Sequence, residues 1–263
     1  MRKNQALATW RAGGQTIGGW LSLNNIHTAE LMAHAGFDWL CVDLQHGLVD
    51  WGDLRSILPA ISTTETTPIV RVSGNDPAEI MKVLDAGAMG VIVPLVNTRA
   101  EAEAAVAACR YPPQGGRSFG PLRAALYGGA GYVQGANDEI ACIVMIETRA
   151  GIENLEAIVT TPGLGGVYIG PADLAFALGL PPRGDTDDPL HMATVARILE
   201  VCQRHGVPAG IHTTGLDYTR RRLAAGFNFV TLGSDAGFMM QAASADLAAA
   251  RGAQKREGER TGY

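Results

Sequence analysis

Lysine is almost missing from this chain. Only Lys3, Lys82 and Lys255 occur in 263 residues; two lie in terminal segments and Lys82 falls inside a helical pattern. Schiff-base chemistry needs a lysine amine placed at a site, and no lysine here ends a strand. Cysteine is nearly as sparse. Cys41, Cys109, Cys142 and Cys202 are far apart and form no C-x-x-C pair. Most sit in apolar or small-residue runs, so they read as buried free thiols, a pattern that suits a reducing cytoplasm. No G-x-G-x-x-G follows a strand and no G-K-[ST] occurs, which argues against a nicotinamide enzyme or a P-loop NTPase. The G-x-S-x-G run at 116–120 follows a Pro-Pro-Gln-Gly stretch and not a strand, so it makes no nucleophile elbow. No stretch approaches the ~20 apolar residues of a membrane span. The opening MRKNQALATWRAGG lacks the apolar core of a signal peptide. A net charge of −5 disfavours a nucleic-acid or anionic-membrane surface. A soluble protein is expected.

What is present is alternation. Short apolar runs at Thr16–Leu23, Asp38–Leu44, Pro68–Val72, Gly90–Pro94, Ala141–Glu147, Gly166–Gly170, Pro208–His212 and Phe229–Gly233 read as strands. Helical patterns separate them: His27–Ala35, Trp51–Ile61, Pro77–Ala86, Arg99–Cys109, Gly151–Val159, Pro189–His205, Asp217–Ala225 and Ala236–Arg251. The strands are uniformly apolar, as parallel strands buried on both faces are. AHAGFDWLCVD (33–43), LDAGAMGVIVP (84–94) and LAAGFNFVTLG (223–233) repeat one junction, in which a glycine ends a helix just before a strand. Eight such units close naturally into a (β/α)8 TIM barrel, with a doubly wound open sheet as the alternative. No linker divides the chain, so residues 1–263 are taken as one domain. Its longest connection, Tyr111–Asn137, is read as a functional loop, and the polar tail Gly252–Tyr263 is expected to fray.

In such barrels chemistry sits where strands end at their C-termini. The sequence places Trp20, Asp43-Leu44-Gln45-His46-Gly47, Arg71, Glu147, Gly170-Pro171-Ala172-Asp173, His212 and Ser234-Asp235 there. Glu147 and Asp173 end or follow neighbouring strands, about 4.8 Å apart in a sheet. They could share one hard cation, Mg²⁺ or Mn²⁺ in preference to Co²⁺ or Zn²⁺; helix capping is the alternative role. His46, near an acid and backed by Gly47, is a candidate general base or a plain surface residue. Arg71 lies in Ile-Val-Arg-Val and must meet an acid or an anionic ligand. An α-keto acid would offer a planar partner, and a structural ion pair with Asp43 or Asp85 is the other possibility.

These residues resemble a known family. D-L-Q-H-G (43–47), R-V (71–72), the run 87–121 through RYPPQGGRSFGP, MIETRAGIENLEAI (145–158) and GVYIGPADLAFALG (166–179) are similar to the HpcH/HpaI aldolases. These are class II pyruvate aldolases related to the 4-hydroxy-2-oxoheptanedioate and 2-dehydro-3-deoxyglucarate enzymes. The resemblance implies Glu147 and Asp173 as metal ligands and Arg71 on the keto oxygen. It implies His46 in the acid–base apparatus with Asp85, which the strand map puts near a helix end and so across a subunit boundary. Asp43, Trp20 and Gln45 join that constellation. The backbone at Gly170, Pro171 and Ala172 would hold the pyruvate carboxylate. The family implies a homohexamer, a trimer of dimers with exchanged C-terminal helices. Two departures stand out. Met145 replaces a frequent glutamine, and His212 occupies an often apolar position facing the aldehyde end.

The expected reaction is reversible cleavage of a 4-hydroxy-2-oxo acid to pyruvate, or hydroxypyruvate, plus an aldehyde. Small keto acids and aldehydes are the expected partners, with no nucleic acid or membrane. The rivals are an acyl-CoA lyase of the citramalyl-CoA or malyl-CoA type, with Arg220-Arg221-Arg222 for the CoA phosphates, and a non-catalytic keto-acid-binding protein.

Overall fold

The computed structural model describes residues 1–252, so most of the tail expected to fray lies outside the described residues. The chain runs α1 (Gln5–Arg11), β1 (Thr16–Leu21), α2 (Ile26–His34), β2 (Trp39–Asp43), α3 (Trp51–Ile61), β3 (Thr67–Arg71), α4 (Pro77–Asp85), β4 (Gly90–Val93) and α5 (Arg99–Cys109). It continues through α6 (Leu122–Gly128), α7 (Tyr132–Glu139), β5 (Ala141–Ile146), α8 (Arg149–Glu153), α9 (Leu155–Val159), β6 (Gly166–Ile169) and α10 (Pro171–Ala177). It ends with α11 (Pro189–Arg204), β7 (Ala209–Ile211), α12 (Leu216–Ala224), β8 (Phe229–Ser234) and α13 (Asp235–Ala250). The strands are parallel, pair in chain order, and close β8 onto β1. This is the (β/α)8 barrel, and the open sheet is excluded.

The repeated glycine junctions behave as their chemistry requires. Gly36, Gly87 and Gly226 have φ of +95°, +104° and +101°, a backbone that glycine adopts without penalty. Elsewhere the sequence reading needs correction. The connection Tyr111–Asn137 is not one long loop, because it carries α6 and most of α7. The helix expected at Gly151–Val159 is two short helices divided at Asn154. Helix α1, seven residues long, precedes the first strand and has no counterpart among the helical patterns of the sequence. Its Ala6, Leu7 and Trp10 join the core inside the barrel.

That inner core obeys the two-residue period of strands. Trp39 and Cys41 on β2, Ile69 on β3, Ile92 on β4, Ala141, Ile143 and Met145 on β5, Tyr168 on β6 and Phe229 on β8 face inward. The alternate residues Leu40, Val42, Val70, Val91, Val93, Cys142, Val144, Val167 and Ile169 pack against the helices. Trp10 stacks on Phe229 at 4.2 Å. The indole N–H groups of Trp10 and Trp39 both donate to Thr16 Oγ1, at 2.7 and 3.1 Å. Gly18 is what admits Trp39, since a Cβ on it would lie 2.1 Å from the indole. Gly18→Ala should therefore destabilise the barrel by about 1–3 kcal/mol, as overpacked cores do. Equilibrium denaturation checks this, and a native midpoint would contradict it.

Candidate active site

The same parity carries the site. Continuing each inward row upward from Trp39–Cys41, Ile69, Ala141–Met145 and Tyr168 gives Asp43, Arg71, Glu147 and Gly170. Trp20 on β1 is part of the inner core, and His212 follows Gly210 on the inward row of β7. Side chains distant in sequence thus reach one rim because every second residue of a barrel strand points inward.

Asp43 and Arg71 are register partners on adjacent strands. Arg71 donates from Nε to Asp43 Oδ1 at 2.8 Å and from Nη2 to Oδ2 at 2.5 Å, a bidentate fork. Its guanidinium carbon lies 5.0 Å over the Trp20 ring, while Trp20 Nε1–H donates to Asp43 Oδ2 at 3.0 Å. Asp43 Oδ1 also accepts the Gln45 and His46 backbone N–H groups at 3.0 and 3.2 Å, so it folds the β2–α3 turn. Gly47 is required there because a Cβ would sit 2.3 Å from the Asp43 carbonyl oxygen. Burial would raise the Asp43 carboxyl, but Arg71, then Trp20 and the turn N–H groups, hold it below its ordinary value. The His46 side chain is exposed on this turn.

Glu147 is 2% exposed. Its Oε1 accepts the Leu95 N–H at 2.9 Å, whereas the buried Oε2 has no hydrogen-bond partner. Oε2 lies over Gly170, where a Cβ would be only 2.1 Å away. Burial pushes the carboxyl up to about 7; the Leu95 N–H opposes this, the Asp173 charge adds to it, and Arg71 opposes it. Asp173 is exposed in the first turn of α10, whose N-cap Gly170 makes no side-chain cap. Thr148, not Glu147, caps α8. Helix capping therefore accounts for neither carboxylate. Among the described residues no three His, Cys, Asp or Glu side chains converge as an all-protein metal cage. A hard cation on two carboxylates would need oxygen from substrate and water, the usual manner for Mg²⁺, and the unpartnered Glu147 Oε2 fits such a group.

In metal-free protein Glu147 should cost stability above neutrality. Its folded value is raised, so the protonated form's contribution is full below about pH 4.5 and is lost as pH rises through about 7. In EDTA, native protein should lose on the order of 3 kcal/mol relative to Glu147→Gln between about pH 5 and pH 8. Parallel pH curves for the two proteins would contradict this.

His212 is half-buried against the same cluster. Its Nδ1 is 3.3 Å from the Tyr168 hydroxyl and its ring meets Trp20 edge-on at 4.9 Å. Burial, reinforced by Arg71, pulls it down to about 4, so it is a neutral imidazole at pH 7. Tyr168 also bonds Thr231. Asp235, grouped with the rim from sequence, instead clamps the β1–α2 turn by accepting the Ser22 and Leu23 N–H groups at 3.0 and 3.1 Å.

Asp85 is not brought to this site within one chain. It ends α4, at the other end of the barrel, and accepts from buried Arg117 Nη2 at 2.7 Å. Sequence reasoning missed Leu95, Asn97 and Tyr168. Tyr168 could have been found by inward parity, but nothing in a Leu-Val-Asn run announces an N–H aimed at a carboxylate.

Known proteins share this fold and much of this sequence. The chain is 40% identical over 248 residues to a hydroxypyruvate/pyruvate aldolase of Rhizorhabdus wittichii, covering 94% of this chain and 99% of that one. It is 38% identical to a 4-hydroxy-2-oxo-heptane-1,7-dioate aldolase of Escherichia coli, covering 96% of each. A crystal structure of a HpcH/HpaI aldolase/citrate lyase family protein from Burkholderia cenocepacia superposes with a TM-score of 0.89 at 34% identity, covering 95% of this chain and all of that one. The family model for HpcH/HpaI aldolase/citrate lyase matches residues 16–242, and the chain belongs to that family.

Proposed function

We propose that this chain is a divalent-metal-dependent aldolase that reversibly cleaves 4-hydroxy-2-oxo acids to pyruvate, or hydroxypyruvate, and an aldehyde. The observation that carries the reading is Glu147, a buried carboxylate with one oxygen fixed by Leu95 and the other unpartnered over Gly170. Glu147 and Asp173 would hold the cation. Their all-oxygen chemistry suits Mg²⁺ or Mn²⁺ above Co²⁺ or Zn²⁺. When bound, it supplies Lewis-acid polarisation of the 2-oxo group.

The chain's own residues do the rest. Arg71, held in plane by Asp43 and Trp20, stabilises negative charge as it develops on the keto oxygen. Asp43 is engaged by five donors, so its part is to orient Arg71 and the His46 turn, with Gln45, and not to move protons. Exposed His46 takes and returns the proton of the 4-hydroxyl group. The carboxylate of the keto acid is received at the start of α10, beside Gly170 and Pro171, by the backbone N–H groups of Ala172 and Asp173; Pro171 has none to give, and first-turn N–H groups lack internal partners. Neutral His212 faces the aldehyde end and favours acceptors that can hydrogen-bond.

Asp85 can partner His46 only from another copy. An exposed apolar edge at Phe119, Leu122 and Leu126 adjoins it, and Met239, Met240 and Leu247 are exposed on α13. These exposed apolar surfaces support self-association; the assembly we propose is a homohexamer, a trimer of dimers with exchanged C-terminal helices, in the cytoplasm, and native mass spectrometry tests it. No described helix is long and apolar enough to cross a membrane. The acyl-CoA reading is disfavoured because Arg221 is paired with Asp187 at 2.7 Å and Arg222 is buried against Met192. Pyruvate release from 4-hydroxy-2-oxo acids, coupled to a lactate dehydrogenase with and without Mg²⁺ or Mn²⁺, tests the function. Binding without turnover would favour a keto-acid-binding protein instead.

A further inference from the structure

Leu95 is the only non-glycine residue with positive φ among the described residues, at +56°. The left-handed region is unfavourable for a branched side chain. Packing does not hold it there, because the side chain is half exposed. Both of its backbone groups are used. Its N–H donates to Glu147 Oε1 at 2.9 Å, and its carbonyl accepts from Asn97 Nδ2 at 2.8 Å. Asn97 Oδ1 accepts in turn from the Thr148 hydroxyl, on the residue next to Glu147. Its backbone is also tied down: the N–H donates to Glu101 Oε2 at 2.6 Å, and the carbonyl accepts from Asn154 Nδ2 at 2.8 Å. One amide side chain therefore links the turn after β4 to the strand end that bears Glu147.

We infer that Asn97 is a positioning residue for Glu147: it holds Leu95 left-handed, so that the Leu95 N–H pins Oε1 and leaves Oε2 turned to a cation. The inference rests on Glu147 being a metal ligand. Removing a group that orients a ligand typically weakens metal binding about 10–100-fold. Glycine at position 95 adopts positive φ freely, so it should make Asn97 largely dispensable.

The test is Mn²⁺ affinity, from the electron paramagnetic resonance signal of free Mn²⁺, read beside the thermal midpoint of the metal-free protein. Asn97→Ala should bind Mn²⁺ at least about 10-fold more weakly with its midpoint unchanged, and Leu95→Gly/Asn97→Ala should recover to within about threefold of native. Native affinity in Asn97→Ala would overturn the proposal. So would a loss that Leu95→Gly does not repair, since a role through Thr148 or Asn154 alone would be blind to position 95. Should Asn97→Ala not fold, Leu95→Gly and Leu95→Gly/Asn97→Ala are compared directly. Agreement within about threefold supports the inference; a larger gap, or a double variant that also fails to fold, overturns it. Glu147→Gln separates this from the reading beneath it. If that variant binds Mn²⁺ like native protein, the metal assignment itself is wrong. If it loses Mn²⁺ while Asn97→Ala keeps it, only the positioning role falls.

Discussion

Glu147→Gln should lose at least about 10³-fold in metal-dependent turnover, because cation polarisation of a carbonyl lowers such barriers by several kcal/mol. The substitution is close to isosteric and retains an oxygen that can accept the Leu95 N–H, so the barrel should stay folded. What it removes is the charge that Oε2 carries into a buried position with no hydrogen-bond partner. The loss should persist at saturating Mn²⁺. Asp173→Asn should fall less steeply and be partly relieved by excess cation, because Asp173 is exposed and water can replace its oxygen. Steady-state kinetics across Mn²⁺ concentrations distinguishes the two. Native turnover in Glu147→Gln would remove the basis of the mechanism.

Arg71→Lys should lower kcat by about 10²–10³-fold, the usual consequence of removing a preorganised group from a developing oxyanion. Charge is conserved in this change, so the effect isolates geometry. The guanidinium spends Nε and Nη2 on Asp43 and lies over Trp20, which leaves Nη1 outside the fork. A lysine ammonium has no planar fork to satisfy Asp43 while facing the substrate at a fixed angle. The fall should appear in kcat more than in KM, because the interaction strengthens as charge develops on the keto oxygen. Unchanged kcat would show that charge alone suffices and that the fork is merely structural.

Much of this was legible before any coordinates. The glycines at 36, 87 and 226 and the apolar runs that follow them located the helix ends and strands, since only glycine takes a positive φ there cheaply. The strand ends then pointed to Trp20, Asp43, Arg71, Glu147 and His212, because a barrel converts strand order into proximity. Three things stayed hidden, each for a physical reason. Helix α1 is only seven residues long, too short for periodicity to mark it, yet Trp10 gives it a place in the core. Helices α6 and α7 sit among glycines and prolines that read as loop. The turn at Leu95 is held by side-chain bonds from Asn97 and not by a turn-forming residue, so a Leu-Val-Asn run carries no local signature of it. Sequence alone offers Arg71 two partners, Asp43 and Asp85, and register decides between them: Asp43 stands opposite Arg71 on the next strand, whereas Asp85 ends a helix and meets Arg117.

The decisive observation is crystallographic. Crystals grown from the full chain and soaked with Mn²⁺ and pyruvate should give an anomalous peak touching the carboxylates of both Glu147 and Asp173, with the keto acid against Arg71. Carboxylates turned away from each other, or manganese seated elsewhere while the soaked enzyme remains competent, would contradict the account.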